Sequence, residues 1–183
     1  MPDTDVDRSF PAMLRDQIRH GFTAGQQYLA AAVYFEADRL PQLARHCYGR
    51  SEEHRGHALR MVQHLLDRDL EVTVGGLDEV RPSFESPQAA ISFLLARERT
   101  LTDQTVDLAK AARASGDYLG EQFMQWFLEQ QMDEVAGMTT LLTVLERAAG
   151  NLFDVEEFAA RELRSPAAPA AGSVPKMAGT VRN

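Results

Sequence analysis

Two histidines, two glutamates and a glutamine carry the chemistry this sequence offers. In the stretch SEEHRGHALRM, His54 and His57 stand three residues apart. On a helix such neighbours share one face, a turn apart, as a pair able to grip a metal ion. Glu98 sits in the middle of a largely apolar stripe of Ile91, Leu94, Leu101, Thr105, Leu108 and Ala112. Gln131 and Glu134 interrupt a second stripe of Phe127, Met138, Leu141 and Leu145. A carboxylate is too costly to bury bare, so each glutamate has to be protonated, paired with a cation or bound to a metal. Two carboxylates and two imidazoles meeting in one layer of a bundle make a metal site, and His54, His57, Glu98, Gln131 and Glu134 are its predicted ligands. Buried Glu–His ion pairs would satisfy the same groups without a metal. The metal is preferred because Glu98 and Glu134 break otherwise clean stripes.

Positioning these residues takes helices. Five segments show helical periodicity, and none shows sustained strand alternation. The first runs from Ser9 and Pro11 to about Ala37, the second from near Pro41 to Asp67, and the third from Ser86 and Pro87 to near Gly116. The fourth extends from about Asp117 to a stop at Gly150, and Asn151 caps a shorter fifth, NLFDVEEFAARELR. That fifth helix carries too many apolar positions for a solvated appendage, among them Phe153, Val155 and Phe158, and is expected to pack against neighbours, with folding back on its own bundle as the alternative.

Between the second and third helices, DLEVTVGGLDEVRPSFE is too long for a tight turn. Extended, it spans up to about 55 Å against about 40 Å for the second helix, so it can run back along the whole bundle. The predicted fold is an all-α four-helix bundle of two hairpins joined by a long crossover, with a short fifth C-terminal helix. Residues 1–164 read as one domain, and the Pro/Ala-rich residues 165–183 as a disordered tail. On the second helix the inward stripe is Cys47, His54, Ala58, Met61 and Leu65. The first helix turns Leu14, Ile18, Gly21, Gly25, Tyr28, Ala32 and Phe35 inward. Two glycines there cost about 1 kcal/mol each against alanine. They serve either a close helix approach or, at Gly21, room for the larger His54 from across the bundle.

Composition narrows the function classes. With 44% hydrophobic and 25% charged residues the chain is an ordinary globular sequence. No apolar run approaches membrane-helix length and the start is acidic, which leads to the expectation of a cytoplasmic protein with no membrane partner. A net charge of -8 argues against nucleic acid and suits the collection of cations. Cys47 is the only cysteine, so neither an internal disulfide nor a thiolate zinc cluster is available.

The segments QQYLAAAVYF, LPQLARHCY, EEHRGHA, HLLDRDL, ERT, GEQFMQWFLEQQMDE and NLFDVEEF, in order across all five helices, resemble the non-haem bacterial ferritins of actinobacteria. The resemblance covers roughly residues 10–163. It implies a hollow cage of two dozen subunits that stores ferric mineral and, in active members, a di-iron centre in each bundle that oxidises Fe(II). Such a centre takes a Glu from the first helix, a Glu-x-x-His from the second, a Glu from the third and a Gln and a Glu from the fourth. His57, Glu98, Gln131 and Glu134 match this pattern. Gly21 stands in place of the first glutamate, and His54 in place of the glutamate that bridges the irons. Glu53 and Asp133 match an accessory iron position, where a further family glutamate is Gln130 here. Tyr28 resembles a ferritin tyrosine near the centre, although core packing accounts for it equally. No haem is expected, since Arg55 occupies the place of the axial methionine of the haem-binding branch.

Two dications a few ångströms apart are tolerable only among several bridging carboxylates. The family pattern has four glutamates around the pair and this chain keeps Glu98 and Glu134. A neutral imidazole donates one lone pair per metal, so His54 cannot bridge two irons. The remaining set balances one dication, Fe(II) or tetrahedral Zn(II). The expectation is an iron-storage cage subunit that binds at most one metal ion per bundle and oxidises Fe(II) slowly or not at all, with no residue assigned as catalytic. It would form a homo-oligomeric cage or co-assemble with an active ferritin subunit. Two alternatives compete: a working ferroxidase in which Glu53 or Asp133 moves in as a ligand, and a zinc-binding or metal-free scaffold bundle.

Overall fold

The computed structural model describes residues 8–163 and 174–180. These hold five helices and no strand: α1 (Phe10–Ala37), α2 (Pro41–Asp67), α3 (Pro87–Ala114), α4 (Tyr118–Ala148) and α5 (Leu152–Glu162). The helices begin and end close to where punctuation in the sequence placed them. Ser86 and Asp117 accept the backbone N–H groups of Ala89 and Gly120 at 3.0 and 2.9 Å, and Asn151 accepts that of Phe153 at 3.2 Å. Ser9 makes no side-chain cap, so Pro11 alone marks the start of α1. α4 stops where Ala149 and Gly150 turn to positive φ, 47° and 92°.

α1 and α2 form one hairpin and α3 and α4 the other, joined by residues 68–86. This crossover lies along α1. Thr23 Oγ1 accepts the N–H of Asp78 at 3.0 Å, and the Gln27 amide both accepts from Arg81 N and donates to Arg81 O at 2.9 Å. Those bonds explain why two polar side chains of α1 are buried.

α5 folds back on its own bundle, a placement the sequence did not favour. Val155 and Ala159 are buried against α2 and α4. The Glu156 carboxylate accepts the N–H groups of Gln42 and Leu43 at 2.7 and 3.0 Å. It thereby caps α2, whose own N-cap residue, Leu40, has no acceptor on its side chain. Phe153, on the opposite side, remains 83% exposed. Within the stretch expected to be a disordered tail, residues 174–180 instead pack on α2. Ala178 N donates to Leu59 O at 3.1 Å, and Arg60 bonds Pro175 O while lying over the Trp126 ring. Residues 165–173 and 181–183 of that tail lie outside the described residues.

Two apolar clusters fill the interior. One gathers Tyr28, Phe35, Leu43, Ile91, Leu94, Met138 and Leu141, and the other Phe10, Leu14, Met61, Leu65, Leu108, Met124 and Phe127. Each buried Leu, Phe or Met contributes about 1.5–3 kcal/mol of transfer free energy. Between the clusters, at mid-length of the helices, lie the buried polar residues Arg50, His54, Glu98 and Gln131.

Candidate functional site

Glu98, fully buried on α3, is the hub of this polar layer. Its Oε1 accepts from the Tyr28 hydroxyl at 2.6 Å and from His54 Nε2 at 2.8 Å. Its Oε2 and its backbone carbonyl each accept from Gln131 Nε2 at 3.2 Å. The His54 bond assigns the ring proton to Nε2, and the ring stacks on Tyr28 with centroids 5.2 Å apart. Three helices other than α3 thus direct a donor at one carboxylate.

The fourth partner is Arg50, which the sequence reading passed over. It stands on α2 one turn before His54 and is 8% exposed. Its Nη1 pairs with Glu53 and, at 2.9 Å, with Glu134 Oε2. Its Nη2 lies 3.8 Å from Glu98 Oε1 and 3.4 Å from His54 Nε2. Because that nitrogen donates to Glu98, the Arg50–His54 approach is a contact rather than a hydrogen bond. A signal for Arg50 did exist. The steps Cys47, Arg50, His54 follow helical spacing and set the arginine on the inward stripe.

A single fixed positive charge stands among three carboxylates, and the two deeper ones, Glu98 and Glu134, shift in opposite directions. Burial alone would push the Glu98 carboxyl up, but the His54 ring, the Arg50 guanidinium and the Tyr28 hydroxyl hold it down at about 2. Glu134 is pushed up to about 8, mainly by burial; Arg50 opposes this, and repulsion from Glu98, Glu53 and Asp133 adds to it. A protonated Glu134 still accepts the Arg50 N–H through its carbonyl oxygen. Within the layer the Arg50 guanidinium then faces the ionised Glu98, which His54 also holds by a hydrogen bond. Burial holds the Tyr28 phenol well above its usual range, so it remains a donor.

The other predicted residues are placed less centrally. His57 flanks the layer, edge-on to Trp126 and Phe127 at 5.4 and 5.5 Å, and makes no hydrogen bond or ion pair among the described residues. Burial, then His54 and Arg50, keep it well below the usual histidine range, so its ring is neutral. Glu53 is tied to Arg50, whereas Asp133 is exposed. Both line a cleft of about 410 Å³ between α2, α4 and α5, together with Gln130, Glu134 and His46. Two buried atoms bordering it, His46 Nε2 and Arg50 Nε, have no hydrogen-bond partner. Gly21 permits close approach: a Cβ there would stand 3.1 Å from Ala58 Cβ. It also lines a small cavity together with His54, His57 and Gln131, and a Cβ added at Gly25 would stand 3.8 Å from His54 Cβ. Among the described residues no group of three or more His, Cys, Asp or Glu is arranged to hold a metal ion.

Sequence comparison places this architecture. The Ferritin-like domain pattern matches residues 11–148. The chain belongs to the ferritin family. This ferritin is 53% identical over 170 residues to Ferritin BfrB of Mycobacterium tuberculosis (strain Erdman), covering 93% of each chain. It is 51% identical over 174 residues to Ferritin BfrB of Mycolicibacterium smegmatis, covering 95% of each. The bacterial non-heme ferritin of Staphylococcus aureus is more distant, 26% identical over 134 residues, 73% of this chain and 81% of that one. In fold, the ferritin also matches the open-pore ferritin of the hyperthermophilic archaeon Archaeoglobus fulgidus, with a TM-score of 0.80 and 21% identity over 88% of this chain and 98% of that one.

Proposed function

We propose that this ferritin is a cytoplasmic iron-storage subunit that assembles into a hollow homo-oligomeric cage of two dozen copies and oxidises Fe(II) slowly or not at all. Storage and assembly draw their support from family membership over nearly the whole chain. Slow oxidation is supported by one observation: both oxygens of the central Glu98 carboxylate are engaged by Tyr28, His54 and Gln131. Oε1 already accepts twice and Oε2 once, so this carboxylate cannot bridge two ions without giving up bonds to Tyr28, His54 or Gln131. Gly21 offers no replacement, and the imidazole at His54 cannot bridge. The donor set does not suit a pair of irons: the upper bound is one ion per bundle, for which His54, Glu98, Gln131 and Glu134, with His57 beside them, are the ligands on offer, and Arg50 stands among them. Iron, the cargo of the family, is the ion favoured over zinc. Arg55 carries no thioether, so haem forms no part of the proposal.

The direct test is to mix anaerobic Fe(II) with the purified assembly, admit oxygen and follow ferric absorbance, with light scattering to size the particle. Oxidation at the rate of an intact ferritin, with two irons bound per subunit, would overturn the slow-oxidation reading. A particle no larger than a dimer would overturn the cage. Mixed cages on co-expression with an active ferritin would place the subunit as the storage partner of an oxidising one.

A further inference from the structure

We infer that Arg50 is the resident cation of the bundle centre and the residue that sets its metal specificity. Its guanidinium occupies the volume a metal ion would need, and the centre takes up no divalent ion while that head group is in place. Substituting Arg50 opens a one-metal site made of His54, Glu98, Gln131 and Glu134.

Three observations carry this. First, the guanidinium lies among the very carboxylates that the sequence assigns to metal: it pairs with Glu53, lies 2.9 Å from Glu134 Oε2 and 3.8 Å from Glu98 Oε1. An entering dication would compete for the same oxygens. It would also sit within a few ångströms of a charge that cannot be removed by deprotonation, in a medium that screens poorly. Second, the arginine is largely enclosed: its side chain is 10% exposed, and where it borders the cleft its head is held by Glu53 and Glu134. Third, the bonds are reciprocal. Removing a partner from a buried ion cluster leaves the others uncompensated, so Arg50 and the carboxylates hold one another in place. The imidazole at position 54 fits this arrangement. It donates to Glu98 and presents no further negative charge to the guanidinium, so one cation suffices where a bridging glutamate would call for more.

This inference deepens the proposed function and rests on it only in identifying this layer with the ferroxidase position. Its test uses Co(II) binding, not iron oxidation or particle size, so the two can fail separately. Co(II) is titrated into the intact assembly and its visible absorption followed in four proteins: wild type, Arg50→Gln, Arg50→Lys and the double variant Arg50→Gln/Glu98→Gln. The expected result is one new low-symmetry Co(II) site per subunit in Arg50→Gln. It should be absent from wild type and from Arg50→Lys, which keeps the charge, and lost again in the double variant. A folded Arg50→Gln assembly with no such site would overturn the inference. Should Arg50→Gln fail to assemble, wild-type crystals soaked in Co(II) decide alone. An anomalous peak between His54 and Glu98 refutes it, and an ordered guanidinium with no peak there supports it.

Discussion

Tyr28 and His54 converge on a single oxygen of Glu98, and that convergence keeps a charge in a sealed interior. Removing the hydroxyl in Tyr28→Phe deletes a hydrogen bond to an ionised group, which is worth about 2 kcal/mol. The expected loss appears as a lower denaturant midpoint with an unchanged helical spectrum. Neutral and alkaline pH isolate another member of the layer. The Glu134 carboxyl is raised from 4.5 to about 8, chiefly by burial, so the folded protein holds a proton that the unfolded chain releases. Its contribution to stability is complete below about 4.5 and declines as pH rises toward 8. The unfolding midpoint of the wild type is therefore expected to fall between pH 6.5 and 8, and that of Glu134→Gln to stay flat. The histidines act in the opposite direction at lower pH. His46 is held down at about 4, by burial first and then by Arg50, so its contribution is present above 6.5 and lost as pH falls toward 4. Restoring glutamate at Gly21 and His54 alone is expected not to restore rapid Fe(II) oxidation in the oxygen assay, because Arg50 still holds Glu53 and Glu134.

At the scale of elements, the amphipathic stripes and the caps made the helices legible, since period and punctuation are local properties. Ser86, Asp117 and Asn151 all cap where the sequence indicates. What α5 packs against was not legible. Glu156 reads as one more exposed acid on a charged helix until α2 presents the N–H groups of Gln42 and Leu43 to it. Glu156→Ala removes this cap and is expected to cost about 1 kcal/mol, and hydrogen exchange at Gln42 and Leu43 should quicken together with that of α5. Thr23 and Gln27 teach the same lesson. They look like breaks in an apolar face, yet they serve a crossover more than fifty positions away in sequence.

For the whole molecule, the placement of α5 decides which surface is left for other subunits. With Val155, Ala159 and Glu156 turned to its own bundle, the helix offers Phe153 outward at 83% exposure, and Tyr118 and Leu119 are also largely exposed, at the start of α4. Phe153→Asp should leave the subunit's helix content intact while shifting sedimentation toward smaller species. An unshifted particle would place the assembly contacts elsewhere.

The sequence by itself determined the helices, their inward faces and the ferritin family, because each follows from residue type at short spacing or from order along the chain. It also brought His54, Glu98 and Gln131 to one layer, since three stripes interrupted at mid-length can meet only at mid-length. The tertiary structure alone decided what neutralises that layer. Arg50 is one more arginine on a charged helix until α3 and α4 bring Glu98 and Glu134 to its head group. Charge balance in a buried site is a sum over every group within a few ångströms, and no spacing along a single helix contains that sum.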